Sequence, residues 1–261
     1  MINEQLSFQG RIAIVTGGAT GIGYATALQL AKLGASVVIA SRTESELNAA
    51  AEAIRVESGQ QCLAVPTDVK DEDAVVALVQ RCIDELGRID VLINNAGGTR
   101  MGPLEAIPSR GWDSIFELNT RSAYVAVREA GRHMIAQQSG AIVNVSSNAG
   151  IHGVKGGAHY SAAKSALQMF TTVTAAEWGR YGIRANCVAA GMIASPRAAA
   201  AWEAAGLGPD SMAQGIPLQR AGTPDEMANM IVFLASDAAS YITGQTIAVN
   251  GGPSLGGIAL D

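Results

Sequence analysis

Short runs of β-branched and other apolar residues alternate with helical patterns from one end of the chain to the other. The runs at 12–15, 37–40, 62–66, 91–94, 142–145, 184–188 and 246–249 predict seven strands. Amphipathic or apolar stretches at 23–33, 44–58, 71–86, 110–137, 159–181 and 224–235 predict helices between them. The strands are apolar almost throughout rather than alternating, so both faces of their sheet must be covered. That pattern belongs to a parallel sheet with helices on each side. No Pro/Ser linker, charge block or internal repeat divides the 261 residues, which predicts an α/β protein of one doubly wound domain. Ligands of such sheets sit at the carboxyl ends of the strands.

Composition narrows the function classes. Hydrophobic residues make up 48% and charged residues 16%, which excludes a disordered chain. A net charge of −5 gives no electrostatic footprint for nucleic acid or an anionic membrane. Residues 12–31 carry no charge, but the four glycines among them read as a strand-turn-helix rather than a membrane span. The first residues, MINEQLSFQGR, lack the charged-then-apolar pattern of a secretory signal. Cys62, Cys82 and Cys187 have no metal-ligand spacing and cannot all pair; they read as buried small hydrophobes in a reducing, cytoplasmic compartment. The glycosylation-like Asn144-Val145-Ser146 falls on a predicted buried strand and carries no meaning there.

Candidate chemistry gathers at the strand ends. The first strand runs into Thr16-Gly17-Gly18-Ala19-Thr20-Gly21-Ile22-Gly23 and then a helix. Such glycines allow a tight turn and leave helix N–H groups free for a pyrophosphate; the plainer alternative is a turn that only packs helix on sheet. Tyr24 stands where a Walker loop requires Lys, which excludes that motif. The second strand ends on Ser41-Arg42 with no carboxylate before Glu44. A carboxylate there would hold a ribose 2′-hydroxyl, whereas Arg42 can grip a 2′-phosphate, so NADP(H) is favoured over NAD(H). Arg42 as a solvated residue at a helix start is the other reading. Asp68, before Val69, can accept from an adenine amine or cap the helix near Asp71. Asn94-Asn95-Ala96-Gly97 suggests a sheet-end network close to a ligand. Asn119 is a poor helix-interior residue and hints at a bend or a polar contact.

The chain is organised around residues 142–164, IVNVSSNAGIHGVKGGAHYSAAK. An apolar strand ends on Ser146-Ser147, a glycine-rich connection follows, and Tyr160 and Lys164 share one face of a helix at i and i+4. A hydroxyl, a phenol and an ammonium can thus meet at a strand end, which is a proton-transfer constellation. Taken singly, a Tyr–Lys pair is ordinarily a surface contact and Ser-Ser a turn cap. Ser161 and Lys164 match a β-lactam-binding spacing, but its SDN and KTG partners are missing from the chain. His152 and His159 lie within the stretch, between Ser147 and Tyr160, and no role follows from their spacing.

These motifs together resemble the short-chain dehydrogenase/reductase family over nearly the full length. They are the Thr16-Gly17-xxx-Gly21-Ile22-Gly23 loop, Asn94-Asn95-Ala96-Gly97, Asn119, Ser147 thirteen residues before Tyr160, and Tyr160-xxx-Lys164. The resemblance implies a Rossmann-type domain and a nicotinamide-dependent oxidoreductase with an Asn119-Ser147-Tyr160-Lys164 tetrad. It implies cofactor contacts from Gly17, Thr20, Gly21, Ile22 and Gly23, from Ser41, Arg42, Asp68 and Val69, and from Asn95, Ala96 and Gly97. Tyr160, Lys164, Ile193 and Ser195 complete that set. Tyr160 would exchange a proton with the substrate oxygen, Ser147 would orient that oxygen, Lys164 would hold the nicotinamide ribose, and Asn119 would help position a water in a proton relay.

The chain departs from the family at Ala190-Gly191, where Pro-Gly is usual, and at Ser195, where Thr is common. Losing that proline predicts a slightly looser turn. An Ala-rich segment broken by glycines and Pro209 predicts a substrate lid at about 192–219, with Trp202, Leu207 and Met212 as apolar substrate contacts. The family also implies a homotetramer, or a homodimer, with helices 110–137 and 159–181 pairing across one interface. The weakly charged face of Ala162, Ala163, Ala166 and Phe170 is compatible with that, and the tail around 241–246 can close the sheet and contribute to a second interface. The expected reaction is interconversion of a small-molecule carbonyl and a secondary alcohol. NADPH-dependent reduction of an enoyl- or dienoyl-thioester is the second chemistry, and a cofactor-binding regulatory protein without catalysis is the third.

Overall fold

The computed structural model describes residues 2–208 and 214–253. Its strands are β1 (Ile12–Thr16), β2 (Ser36–Ser41), β3 (Cys62–Pro66), β4 (Val91–Asn94), β5 (Gly140–Ser147), β6 (Ile183–Ala190) and β7 (Thr246–Val249). They form one sheet in the order β3-β2-β1-β4-β5-β6-β7, parallel at every junction. The chain builds β1 to β3 outward, then returns to lay β4 beside β1. This reversal opens a crevice beyond the carboxyl ends of β1 and β4, where parallel sheets hold their ligands.

The helices are α1 (Ile2–Gln5), α2 (Gly21–Lys32), α3 (Glu44–Ser58), α4 (Glu72–Leu86), α5 (Ser109–Phe116), α6 (Ser122–Gln137), α7 (Ala149–His152), α8 (Ala158–Trp178), α9 (Pro196–Ala204) and α10 (Pro224–Ala235). Alternate residues of β1 serve two cores. Ala13 and Val15 pack with Leu30 of α2, Ile54 of α3 and Ile231 of α10, while Ile12 and Ile14 pack with Leu78 of α4 and Met134 of α6. Burying one such Leu or Ile side chain contributes about 1.5–3 kcal/mol, which is why uniformly apolar strands demand helices on both faces. Among the described residues no helix is long and apolar enough to cross a membrane.

All seven expected strands form, with β5 and β6 longer than their apolar cores. The single helix expected at 110–137 is instead α5 and α6 joined by a π-helical turn, Glu117–Arg121. A helix period cannot reveal one extra residue per turn, although the awkward Asn119 marked the place. The three cysteines are buried and free. Burial pushes their thiols up, to about 12 for Cys62 and Cys82 and about 11 for Cys187, so all three are protonated at neutrality. Ala163 lies wholly inside the chain, where its carbonyl accepts from Thr120 at 2.8 Å, so it cannot sit on an outward face of α8. The outward apolar residues there are Met169 and Val173, and Tyr124 of α6, also exposed, packs edge-on against Phe170.

Candidate active site

The glycine loop closes β1 onto α2. Gly17 and Gly21 take left-handed φ values of 66° and 56°, which L side chains rarely adopt. A Cβ on Gly23 would meet the Gly17 carbonyl oxygen at 2.1 Å, so neither residue can gain a side chain without opening the loop. The hydroxyl of Thr16 accepts from the N–H groups of Asn95 and Ala96, both at 3.1 Å, and the Asn95 amide donates to the carbonyls of Thr16 and Gly17 at 3.0 and 3.2 Å. Thr20, at the N-cap of α2, makes no side-chain capping bond. The first N–H groups of α2 thus face the crevice uncapped by a side chain, next to a backbone shaped to admit a phosphate.

This loop forms one wall of a cleft of about 710 Å³ that Gly17, Thr20, Ser41, Arg42, Asp68 and Val69 help to line, with Ala96 and Gly97 at its inner end. The buried Ser41 hydroxyl has no hydrogen-bond partner, the condition of a polar atom set aside for a ligand. Asp68 does not cap a helix. Its carboxylate accepts from the Lys70 N–H at 3.0 Å, and Asp71 caps α4 by accepting from Asp73 and Ala74. The glycine cradle, the uncapped helix start and the orphaned hydroxyl fit a dinucleotide. Ile22 and Gly23 pack in the first turn of α2 behind them.

A second cavity of about 430 Å³ adjoins, lined by Ser147, Tyr160, Met192, Ile216 and Asn250 among others. Thr99 and Met101 line both cavities, so they adjoin. The two serines ending β5 have separate employments. Ser146 is buried, donates to the Lys164 carbonyl at 3.0 Å and accepts from Gln168 at 3.0 Å. Ser147 points to the cavity, accepts only from the Ala149 N–H at 3.1 Å, and lies beside the Tyr160 phenol. Burial raises the Tyr160 pKa, and the Ser147 hydroxyl draws it partly back.

Lys164 is buried, with its ammonium 5.8 Å from the Tyr160 ring centre and donating to the Val145 carbonyl at 2.9 Å. Burial lowers its pKa to about 8, with the nearby Cys187 working the other way, so it still carries its charge at neutrality. Asn119 is fixed on the π turn. Widening the helix frees the Ile115 carbonyl, and the Asn119 amide donates to it at 2.9 Å. The same amide donates to the Gly98 carbonyl at 2.8 Å and accepts from the Gly98 N–H at 3.1 Å. Both of its amide hydrogens and one lone pair of its oxygen are therefore engaged within the chain. A Cβ on Gly97 would lie 2.8 Å from the Asn119 oxygen and 3.1 Å from the Lys164 nitrogen, so bare backbone separates the two.

Ser195 caps α9, accepting from Ala198 at 3.2 Å, and stands against Gly21 of the glycine loop, while Ile193 is buried in a parallel bridge with Gly222. Of the expected lid contacts, Trp202 and Leu207 line neither cavity, whereas Met192 and Ile216 line the smaller one; Met212 lies outside the described residues. Helix periodicity alone could not single out Met192 and Ile216. At Ala190-Gly191 the backbone is held without proline: the Ala190 carbonyl accepts from Asn148 at 2.8 Å, and the Gly191 N–H donates to Val249 at 2.9 Å.

Known proteins match this arrangement along its length. Residues 17–254 match the family described as Enoyl-(Acyl carrier protein) reductase. A cis-4-hydroxycyclohexanecarboxylate dehydrogenase of Sinomonas cyclohexanicum is 42% identical over 94% of this chain and 97% of its own. A 3-oxoacyl-[acyl-carrier-protein] reductase of a Synechocystis species is 40% identical over 93% of this chain and 96% of its own. The crystal structure of an NAD+-bound xylitol dehydrogenase superposes with a TM-score of 0.89 at 30% identity, covering 94% of this chain and 99% of that one. The chain belongs to the short-chain dehydrogenase/reductase family of oxidoreductases.

Proposed function

We propose that this protein is a cytoplasmic, NADP(H)-dependent oxidoreductase that interconverts a carbonyl and a secondary alcohol, with Tyr160 as general acid and base. The observation that carries the proposal is the meeting of Tyr160 and Ser147 on the wall of the smaller cavity, with the Lys164 ammonium 5.8 Å from the Tyr160 ring centre. A nicotinamide cofactor, when bound, supplies or accepts the hydride. The chain's own residues manage the oxygen. Ser147, hydrogen-bonded to the Tyr160 hydroxyl, is placed to orient the substrate oxygen beside it, and Tyr160 gives that oxygen its proton during reduction and recovers it during oxidation. The burial that raises the phenol keeps it protonated at neutral pH, which suits a proton donor. Lys164, charged and adjacent, favours the phenolate that the return reaction needs. Asn119 acts here as a positioning residue, clamping Gly98 and with it the inner end of the cleft. Met192 and Ile216, which line the smaller cavity, act in this reading as the lid's contacts with substrate.

The NADP(H) preference is supported by the end of β2, where an unpartnered Ser41 hydroxyl precedes Arg42. Arg42→Asp should move preference towards NADH, read as the ratio of kcat/KM with the two cofactors. An unchanged ratio would remove Arg42 from the 2′-phosphate. Reduction of a conjugated C=C is the second chemistry, favoured by the matched family description. The Ser147 donor beside Tyr160 suits a carbonyl oxygen better. A panel of ketones, 4-oxocyclohexanecarboxylate (suggested by the Sinomonas relative), and enoyl-CoA esters, followed by NADPH absorbance, decides between them. Pairing of α6 and α8 across a subunit interface fits the outward Tyr124, Met169 and Val173, and a second contact fits the fully exposed Tyr241. Light scattering should therefore report a tetramer or dimer.

A further inference from the structure

The arginines of this chain divide sharply by their partners. Most are engaged: Arg121 and Arg128 pair with Glu72, Arg184 donates to the carbonyls of Leu234 and Ser236, and Arg180 lies over the Tyr181 ring. Among the described residues Arg42, Arg100, Arg110 and Arg197 make no hydrogen bond, ion pair or ring contact, and all four line the 710 Å³ cleft. Lys155 is unpartnered too but lines neither cavity. A guanidinium presents a rigid fork of donors matched to carboxylate and phosphate, so four exposed, unfilled forks around one cleft give it capacity for more than one anion.

Two of the four belong with the dinucleotide. Arg42 follows β2, whose Ala40 carbonyl accepts from Gly17 and Gly18 of the glycine loop. Arg197 opens α9 two residues after Ser195, which stands 3.2 Å from the position of a Cβ on Gly21. Arg100 and Arg110 come instead from the segment between β4 and the body of α5. Arg100 sits between Thr99 and Met101, the two residues that line both cavities. Its segment is pinned close to Tyr160: the Gly102 N–H donates to the Gly156 carbonyl at 2.8 Å, and the Met101 sulfur lies 3.3 Å from a Cβ placed on Gly157. Arg110 rises from the first turn of α5, and Glu105 and Asp113, its nearest acidic neighbours in sequence, form no ion pair with it. The acidic residues lining the cleft, Glu46 and Asp68, follow β2 and β3 on the dinucleotide side. The same cleft is also lined by His159, 4% exposed, whose Nδ1 has no hydrogen-bond partner.

We propose that Arg100 and Arg110 form an anion-binding arm of the substrate site, so that the natural substrate carries a carboxylate or phosphate remote from its reacting carbonyl. The inference rests on the oxidoreductase assignment and adds the substrate class to it. The ligand is either a small oxo acid, held by its carboxylate, or a coenzyme A thioester, held by a phosphate. Neither side chain touches the reacting atoms.

The test sets each charged carbonyl against a neutral counterpart, 4-oxocyclohexanecarboxylate against its methyl ester and acetoacetyl-CoA against acetoacetyl-N-acetylcysteamine. Arg100→Gln and Arg110→Gln should each raise KM for the charged member about tenfold or more. The neutral member's KM and the NADPH Kd should stay as in wild type. An effect confined to the oxo acid identifies a carboxylate, and one confined to the thioester a phosphate. Equal effects within both pairs, or a weakened NADPH Kd instead, overturn the arm. Calorimetric binding of the charged probes to the enzyme–NADP+ complex separates the two proposals. Binding that is lost in the variants, with no carbonyl turned over, keeps the arm and discards the oxidoreductase. Turnover with no charge preference does the reverse, and no binding of either charged probe to wild type also discards the arm.

Discussion

Thr16 and Asn95 under the glycine loop, and Ser147 and Tyr160 on β5 and α8, are polar residues at the same end of one sheet, but their hydrogen-bonding states differ. The Thr16 hydroxyl takes two backbone N–H groups and the Asn95 amide nitrogen donates to two carbonyls, so both hold the chain to itself. Ser147 accepts one N–H and otherwise meets only the Tyr160 hydroxyl, and both face a cavity. The first pair joins β1 to β4 and shapes the loop, whereas the second pair is left with capacity for a ligand. Ser146 and Ser147 repeat the contrast in adjacent residues, the first tied to α8 on both sides and the second open.

The contrast can be broken by separating activity from stability. Tyr160→Phe should lower turnover by about 10²–10⁴-fold, the range of general acid–base catalysis, while NADPH binds and the melting temperature holds. Turnover near wild type would end the proton-donor role. Next in size is Lys164→Met. Burial lowers the lysine from 10.5 to about 8, so the unfolded chain binds the proton more tightly, and holding the ammonium inside costs stability at neutral pH. Removing it should cut turnover by about tenfold or more without lowering the melting temperature, because the lost bond to Val145 is offset by the lost desolvation penalty.

The same two groups give the pH profile its sign. With the phenol raised, carbonyl reduction should stay level through neutrality and fall at alkaline pH, whereas alcohol oxidation should climb. That climb should flatten above about 8 as Lys164 loses its charge. Rate profiles in both directions that share one sign would contradict this assignment. Thr16→Val, nearly isosteric, should cost about 1–3 kcal/mol in urea unfolding because two N–H groups lose their acceptor. Smallest is the serine pair. Ser147→Ala should lower kcat at unchanged stability, and Ser146→Ala should cost about 1 kcal/mol at nearly unchanged kcat. Exchanged outcomes would mean that Ser146 is the substrate-facing hydroxyl.

The seven strands were legible because each is apolar on both faces, and the glycine loop because its spacing leaves no room for side chains. The Ser147–Tyr160–Lys164 meeting was legible because a helix puts i and i+4 on one face and a strand end fixes the third group. Strand order was read only as a class, since it depends on which crossover reverses. The π turn, the cap at Asp71 in place of Asp68, and the inward burial of Ala163 escaped for a common reason. Each depends on which of several equivalent neighbours a side chain meets in space, and local pattern does not rank them. The arginine arm escaped likewise, since Arg100 and Arg110 differ from paired arginines only in lacking a partner.

The π turn at Glu117–Arg121 also sets a limit on how this chain can change length. Each helical residue turns the axis by about 100°. Deleting any one residue between α5 and α6 would restore a regular helix with every carbonyl paired, a gain in local order. The same deletion would rotate α5 relative to α6 and swing Asn119 off Gly98, releasing the backbone that separates it from Lys164. A shorter, smoother helix would thus be a better helix in a worse site, and single-residue deletions here should be tolerated by folding long before they are tolerated by function.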